Sequence, residues 1–91
     1  MRPDLPEPDL TRAHPDGAIP RTTQPIVPVA LREILFTDGQ WRYAEITHQA
    51  PDRGGGWRIL IRYHLAGDTR ETLYLHDPAK IRELRDDVLL A

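Results

Sequence analysis

Seven of the nine prolines in this 91-residue chain fall within its first 28 positions, which removes that stretch from consideration as a helix or a central strand. Proline fixes φ and carries no amide donor, so Pro3, Pro6, Pro8, Pro15, Pro20, Pro25 and Pro28 mark an extended or polyproline-like segment. Residues 1–26 therefore read as a proline-rich arm, extended or disordered, with Ile19, Ile26 and Val27 as the anchors if it docks. Residues 1–18 are expected to add nothing to the fold. That leaves residues 27–84 to form one small domain, followed by an acidic and apolar tail, or the end of a helix, over 85–91.

A core of this size rarely contributes more than about 3–5 kcal/mol without a staple. The chain has no cysteine, so neither a disulfide nor a thiolate metal site can supply one. Homo-oligomerisation or docking on a protein partner is then a natural source of further stability.

Beyond the arm the period of the sequence changes to two. Val27, Val29 and Leu31 alternate with Pro28, Ala30 and Arg32 and lead into Ile34-Leu35-Phe36, which predicts a strand over 29–36. Asp38-Gly39 marks a tight turn, and a second strand follows from Trp41 to about Gln49. Pro51-Asp52-Arg53-Gly54-Gly55-Gly56 is a loop. Trp57 to Leu65, rich in β-branched and aromatic residues, is the strongest strand in the chain. Ala66-Gly67-Asp68 turns into a fourth strand, Thr69 to about His76. Asp77-Pro78 combines an N-cap acceptor with proline at the first helical position. It predicts either a short C-terminal helix carrying Ile81, Leu84 and Val88 on one face, or a helical turn at 78–80 before a last strand at 81–84. The expected fold class is mainly β: a small antiparallel sheet or barrel of four to five strands.

Register follows from placing the apolar residues on one side, because a slip of one residue reverses every side chain. Pairing Ile46 and Leu73 with Ile61 assigns Ala44, Ile46, Ile59, Ile61, Tyr63, Leu73 and Leu75 to the core, with His48 on the same side. The opposite face then carries Tyr43, Glu45, Thr47, Arg58, Leu60, Arg62, His64, Arg70, Thr72, Tyr74 and His76, with Glu45 beside Arg62. Arginine interleaved with tyrosine and histidine can hold carboxylates, phosphates or stacked bases. The candidate binding residues are therefore Tyr43, Arg58, Arg62, His64, Arg70 and Tyr74. An antiparallel sheet with one wet face has a similar composition without any ligand.

The block Asp38-Gly39-Gln40-Trp41-Arg42-Tyr43-Ala44-Glu45-Ile46 resembles the D-G-x-W-Y-x-A-x-I hairpin of SH3-like small barrels, particularly Tudor-type domains. Tyr63, the Gly67-Asp68 turn and the Asp77–Arg82 stretch continue the resemblance in order, over about residues 31–84. It implies an SH3-like barrel that binds peptides or nucleic acids through loops and a sheet face. The aromatic cage of methyl-reading Tudor domains would fall on Leu35 or Phe36, Arg42, Tyr63 and Ala66, which is too few aromatics to imply methyl-peptide reading.

The charge distribution narrows the partner class further. Twelve basic against 14 acidic residues give a net charge of −2, which favours neither a strongly basic nucleic-acid binder nor an acidic mimic. Only Lys80 among the basic residues is a lysine, the bias of a GC-rich bacterial genome. The absence of a long apolar run or a signal-peptide pattern makes a cytoplasmic address with no membrane association the expectation. His48, His64 and His76 lack the spacing of a metal site, and the Gly54–Gly56 run lacks the Lys-Ser/Thr of a phosphate loop. No nucleophile–base or paired-carboxylate set can be assembled. The expectation is a non-catalytic protein-interaction module or small accessory subunit without cofactor or metal. The alternative is weak nucleic-acid binding through the arginine and tyrosine face.

Overall fold

The computed structural model describes residues 5–13 and 23–84. Five antiparallel strands, β1 (Gln24–Leu35), β2 (Trp41–Pro51), β3 (Trp57–Leu65), β4 (Asp68–Leu75) and β5 (Ile81–Arg82), form one sheet in the order β4-β3-β2-β1-β5. β1 to β4 pair consecutively through short connections, as the closely spaced turn signals require, whereas β5 returns to pair with β1.

β1 starts at Gln24, so the boundary drawn at 26/27 falls inside the strand. Pro25 lies opposite His48, and pairing resumes only at Ala30 opposite Ile46, so Ile26 to Val29 bulge out of the ladder. On its other side β1 pairs with β5 at Glu33 and Ile34, and Leu35 N–H donates to Lys80 O at 2.9 Å. Prolines are tolerated in such a place because an edge or bulge leaves some amide positions outside the ladder.

Residues 7–13 connect the two sides of the sheet. Asp9 N–H donates to Leu35 O at 2.9 Å and Thr37 N–H to Glu7 O at 2.8 Å. Farther along, Ala13 N–H donates to Leu73 O at 3.0 Å and Leu75 N–H to Thr11 O at 2.8 Å. Glu7, Asp9, Thr11 and Ala13 make the main-chain bonds, while Pro8 lies between them, where its missing amide is not needed. Pro8 is fully buried opposite Phe36, and Leu10 packs against the core. The expectation that residues 1–18 stand apart from the fold therefore does not hold for 5–13. Ile19 lies outside the described residues.

The core comprises Ile34, Phe36, Ala44, Ile46, Ile59, Ile61, Tyr63 and Tyr74, with Ile26, Ala30, Leu65 and Ile81 packed around it. Phe36 and Tyr63 meet edge to face, with ring centres 5.1 Å apart at 88°. That geometry suits two aromatic quadrupoles and adds to the energy of burial.

Ile46 does pair with Ile61, but Ile61 faces Thr72 rather than Leu73. The reason is the β3–β4 turn. Leu65 pairs with Asp68, leaving a two-residue loop of Ala66 (φ 53°) and Gly67 (φ 83°) in place of the three-residue Ala66-Gly67-Asp68 turn that the sequence suggests. Two successive positive φ values make the twist that suits a tight hairpin. The one-residue difference reverses β4, putting Tyr74 in the core and turning Leu73 and Leu75 to the reverse face.

A second correction comes from β2, where the register shifts between Ile46 and His48. Thr47 is the extra residue and is buried, with its hydroxyl 3.5 Å from Leu60 O. His48 moves opposite Leu60 on the reverse face rather than joining the core side. Leu60 and Leu73, opposite one another on that face, are both buried.

After β4, Lys80 N–H donates to Asp77 O at 3.0 Å and Ala79 N–H to the Asp77 carboxylate at 3.0 Å. The Asp77-Pro78 signal thus makes one turn before β5, and no helix occurs among the described residues. The proposed continuation through Val88, like the tail at 85–91, lies outside them. No helix among the described residues is long and apolar enough to cross a membrane.

Candidate functional site

The six residues expected to form a binding face separate in the folded chain. Tyr43, Arg58, Arg62 and His64 occupy the reverse face, whereas the β4 register turns Arg70 and Tyr74 toward the core side. Tyr74 is 1 % exposed, and no surface ligand can reach it. Arg70 is exposed opposite Tyr63.

The cations left on the reverse face are engaged locally. Arg62 donates to Glu45 Oε2 at 2.8 Å, the pair expected from the sequence, and Glu71 lies opposite it on β4. That hydrogen bond holds the Glu45 carboxyl below its usual range and raises Arg62. Arg58 donates to Pro51 O at 2.7 Å, with Asp52 3.9 Å away. Arg82 pairs with buried Glu33 at 3.0 Å and lies 3.9 Å above the Trp41 ring. His64 Nδ1 and the Thr69 hydroxyl are 2.8 Å apart. Half-exposed Tyr43 stands opposite Glu33. Arginines paired with Glu45 and Glu33 have little charge to offer a phosphate.

A different surface, on the core side of the sheet, has the form of a site. The bulged part of β1, with β2, β3 and β5, surrounds a cavity of about 320 Å³. Its floor is aliphatic, made by Ile26, Ala30, Ile46, Ile59 and Ile81. Arg32, Gln49, Trp57 and His76 form the lip. A second depression of about 410 Å³, bounded by Gln24, Gln49, Pro51 and Trp57, adjoins the first at Gln49 and Trp57. Trp57 and Gln49 thus border both depressions of this groove.

The chain positions this lip by ordinary means. Trp57 opens β3 opposite Pro51 and is 49 % exposed, because the glycine loop before it contributes no side chain to cover the ring. His76 N–H donates to Trp57 O at 2.8 Å, tying the end of β4 to the start of β3. Arg32 donates to Leu31 O at 2.9 Å and has no carboxylate partner among the described residues. Among the described residues, neither depression is lined by an acidic side chain.

Apolar exposure continues along β1, where Val27 is 86 % exposed and Val29 and Leu31 are each 43 % exposed. Ile26, Ala30 and Arg32 of the same strand line the groove, so β1 presents apolar side chains both there and along its exposed strip. An exposed apolar strip beside a concave apolar floor is characteristic of a contact surface. The sequence reading missed Arg32, Gln49 and Trp57 and placed His76 on the opposite face. The available signal was Trp57 itself, a large apolar side chain directly after three glycines.

Among the described residues no set of three His, Asp or Glu side chains converges as metal ligands. No family model matches the chain, and neither a curated protein nor a solved structure matches it significantly.

Proposed function

We propose that this chain is a non-catalytic protein-interaction module, built as an SH3-like small barrel, that holds a segment of a partner protein in the groove crossed by Trp57. The half-exposed indole over an isoleucine floor, beside the apolar strip of β1, carries this reading. Tryptophan in such a position is the residue type that most often dominates a protein interface. The hydrogen-bonded arm supports the barrel assignment by spanning the outer sides of β1 and β4. A role as a small accessory subunit fits the same surface. The nucleic-acid alternative has less support, because Arg62 is paired and Tyr74 is buried.

Selection of a displayed random-peptide library on the full chain tests the proposal. Enriched sequences should bind the native chain and lose binding to Trp57→Ala, whose fold circular dichroism should show intact. Failure to enrich any sequence that distinguishes the two proteins refutes the groove as a protein-docking site. Salt-sensitive fluorescence anisotropy with DNA or RNA oligonucleotides would support the alternative instead.

A further inference from the structure

We infer that the groove takes an extended, acidic-hydrophobic peptide segment, with aliphatic side chains on either side of Trp57 and a carboxylate at Arg32. This rests on the proposed interaction function and names the chemistry of its partner. Three observations carry it.

The first is shape. The isoleucine-floored cavity and the depression bounded by Gln24 and Pro51 share Trp57 and Gln49 as walls, so two side chains of one ligand can occupy them. Alternate residues of an extended chain project to the same side, so one such segment can fill both depressions and cross the indole between them.

The second is polarity. Ile26, Ile46, Ile59 and Ile81 offer no hydrogen-bonding side chain at the floor of the first cavity, which suits an aliphatic side chain. Gln49 and His76 stand at its lip, where the peptide groups of a bound segment would run.

The third is charge. Arg32 is the lip's permanent cation, and among the described residues it has no carboxylate partner and the groove it faces has no acidic lining residue. A basic segment would meet this cation without compensation, whereas an acidic one completes the pair. Arg12, Arg42, Arg62 and Arg82, by contrast, already have Glu7, Asp38, Glu45 and Glu33 as partners.

Three acetylated, amidated hexapeptides test the inference: one with leucines at alternate positions followed by aspartates, and counterparts with asparagine or lysine in place of aspartate. Each is titrated into the isotopically labelled full chain and followed by nuclear magnetic resonance. The aspartate peptide should shift the Trp57 indole N–H and the Gln49 and Ala30 amides, and should bind more tightly than the asparagine peptide, which in turn should exceed the lysine peptide. Arg32→Gln should weaken the aspartate peptide about fivefold, the scale of an exposed ion pair, and leave the asparagine peptide unchanged. Equal binding of all three peptides, or indifference to Arg32→Gln, overturns the acidic assignment while leaving the docking function intact. If library-selected peptides bind through the groove but none of the three shifts these resonances, the acidic-hydrophobic class is wrong. If selected peptides shift only the Val27–Leu31 strip, the groove is not the docking site.

Discussion

In the folded chain the Tyr74 phenol is pushed up from 10.0 to about 12, chiefly by burial, with the neighbouring Tyr63 adding to the rise. In the unfolded chain the same phenol ionises near pH 10. The folded state thus holds the proton more tightly, and the stability this contributes is complete below pH 10. It declines as pH rises toward 12, by about 1.4 kcal/mol per unit and about 3 kcal/mol in all. Urea denaturation of the native chain and of Tyr74→Phe at pH values from about 8 to 11.5 isolates the effect, because every other titrating group is common to both. The native chain should lose stability relative to the variant only above about pH 10. A flat difference across that range, or a Tyr74 phenolate band appearing near pH 10 while the chain is still folded, would place this side chain in solvent. That would return β4 to the register with Leu73 opposite Ile61.

Leu10→Ala should destabilise the chain by about 1–2 kcal/mol, less than a fully buried leucine because Leu10 is only partly covered, and an unchanged urea midpoint would show the arm to be dispensable. Ala66→Asn should raise stability by about 0.5–1 kcal/mol, since asparagine tolerates positive φ better than alanine; a fall in the thermal midpoint would contradict the two-residue turn. Arg42 donates to Asp38 at 2.7 and 2.8 Å and lowers its carboxyl to about 2, so that this pair's contribution is present at neutral pH and disappears as pH falls through that value. In Arg42→Ala the Asp38 carboxyl should titrate nearer 3.8, and a value unchanged by carbon-detected resonance would rule out the pair as the cause. Glu45→Gln should change stability by less than about 1 kcal/mol at moderate salt, because the Arg62 pair is solvent-screened; a larger loss in thermal denaturation would mean that the pair is shielded from solvent.

The strands were legible in the sequence wherever periodicity ran uninterrupted between turn residues. Residue type marks Trp57–Leu65 as a strand to its last residue, and alternation alone implies the Ile46–Ile61 and Glu45–Arg62 pairings. The errors have two local causes. Ala66 does not advertise a left-handed conformation as asparagine or glycine would, so the turn was read one residue too long and β4 was reversed. The shift at Thr47 was equally hidden, because a bulge leaves no compositional mark in a run such as Glu45-Ile46-Thr47-His48. The candidate binding face inherited the first error through Arg70 and Tyr74. The groove was not foreseeable by periodicity, since it joins the bulged part of β1 to residues brought together by pairing with β2 and β5.

Residues 7–13 complete their hydrogen bonds on Leu35 and Thr37 at one end and on Leu73 and Leu75 at the other. During synthesis this segment leaves the ribosome before its partners, and the second set of them is made 60 to 64 positions later. Closing so long a loop costs entropy that only the finished sheet can offset, which makes late docking the favoured order. Until β4 has emerged, the outer sides of both β1 and the growing sheet remain available to other chains, and the nascent protein is most exposed to mispairing during that interval.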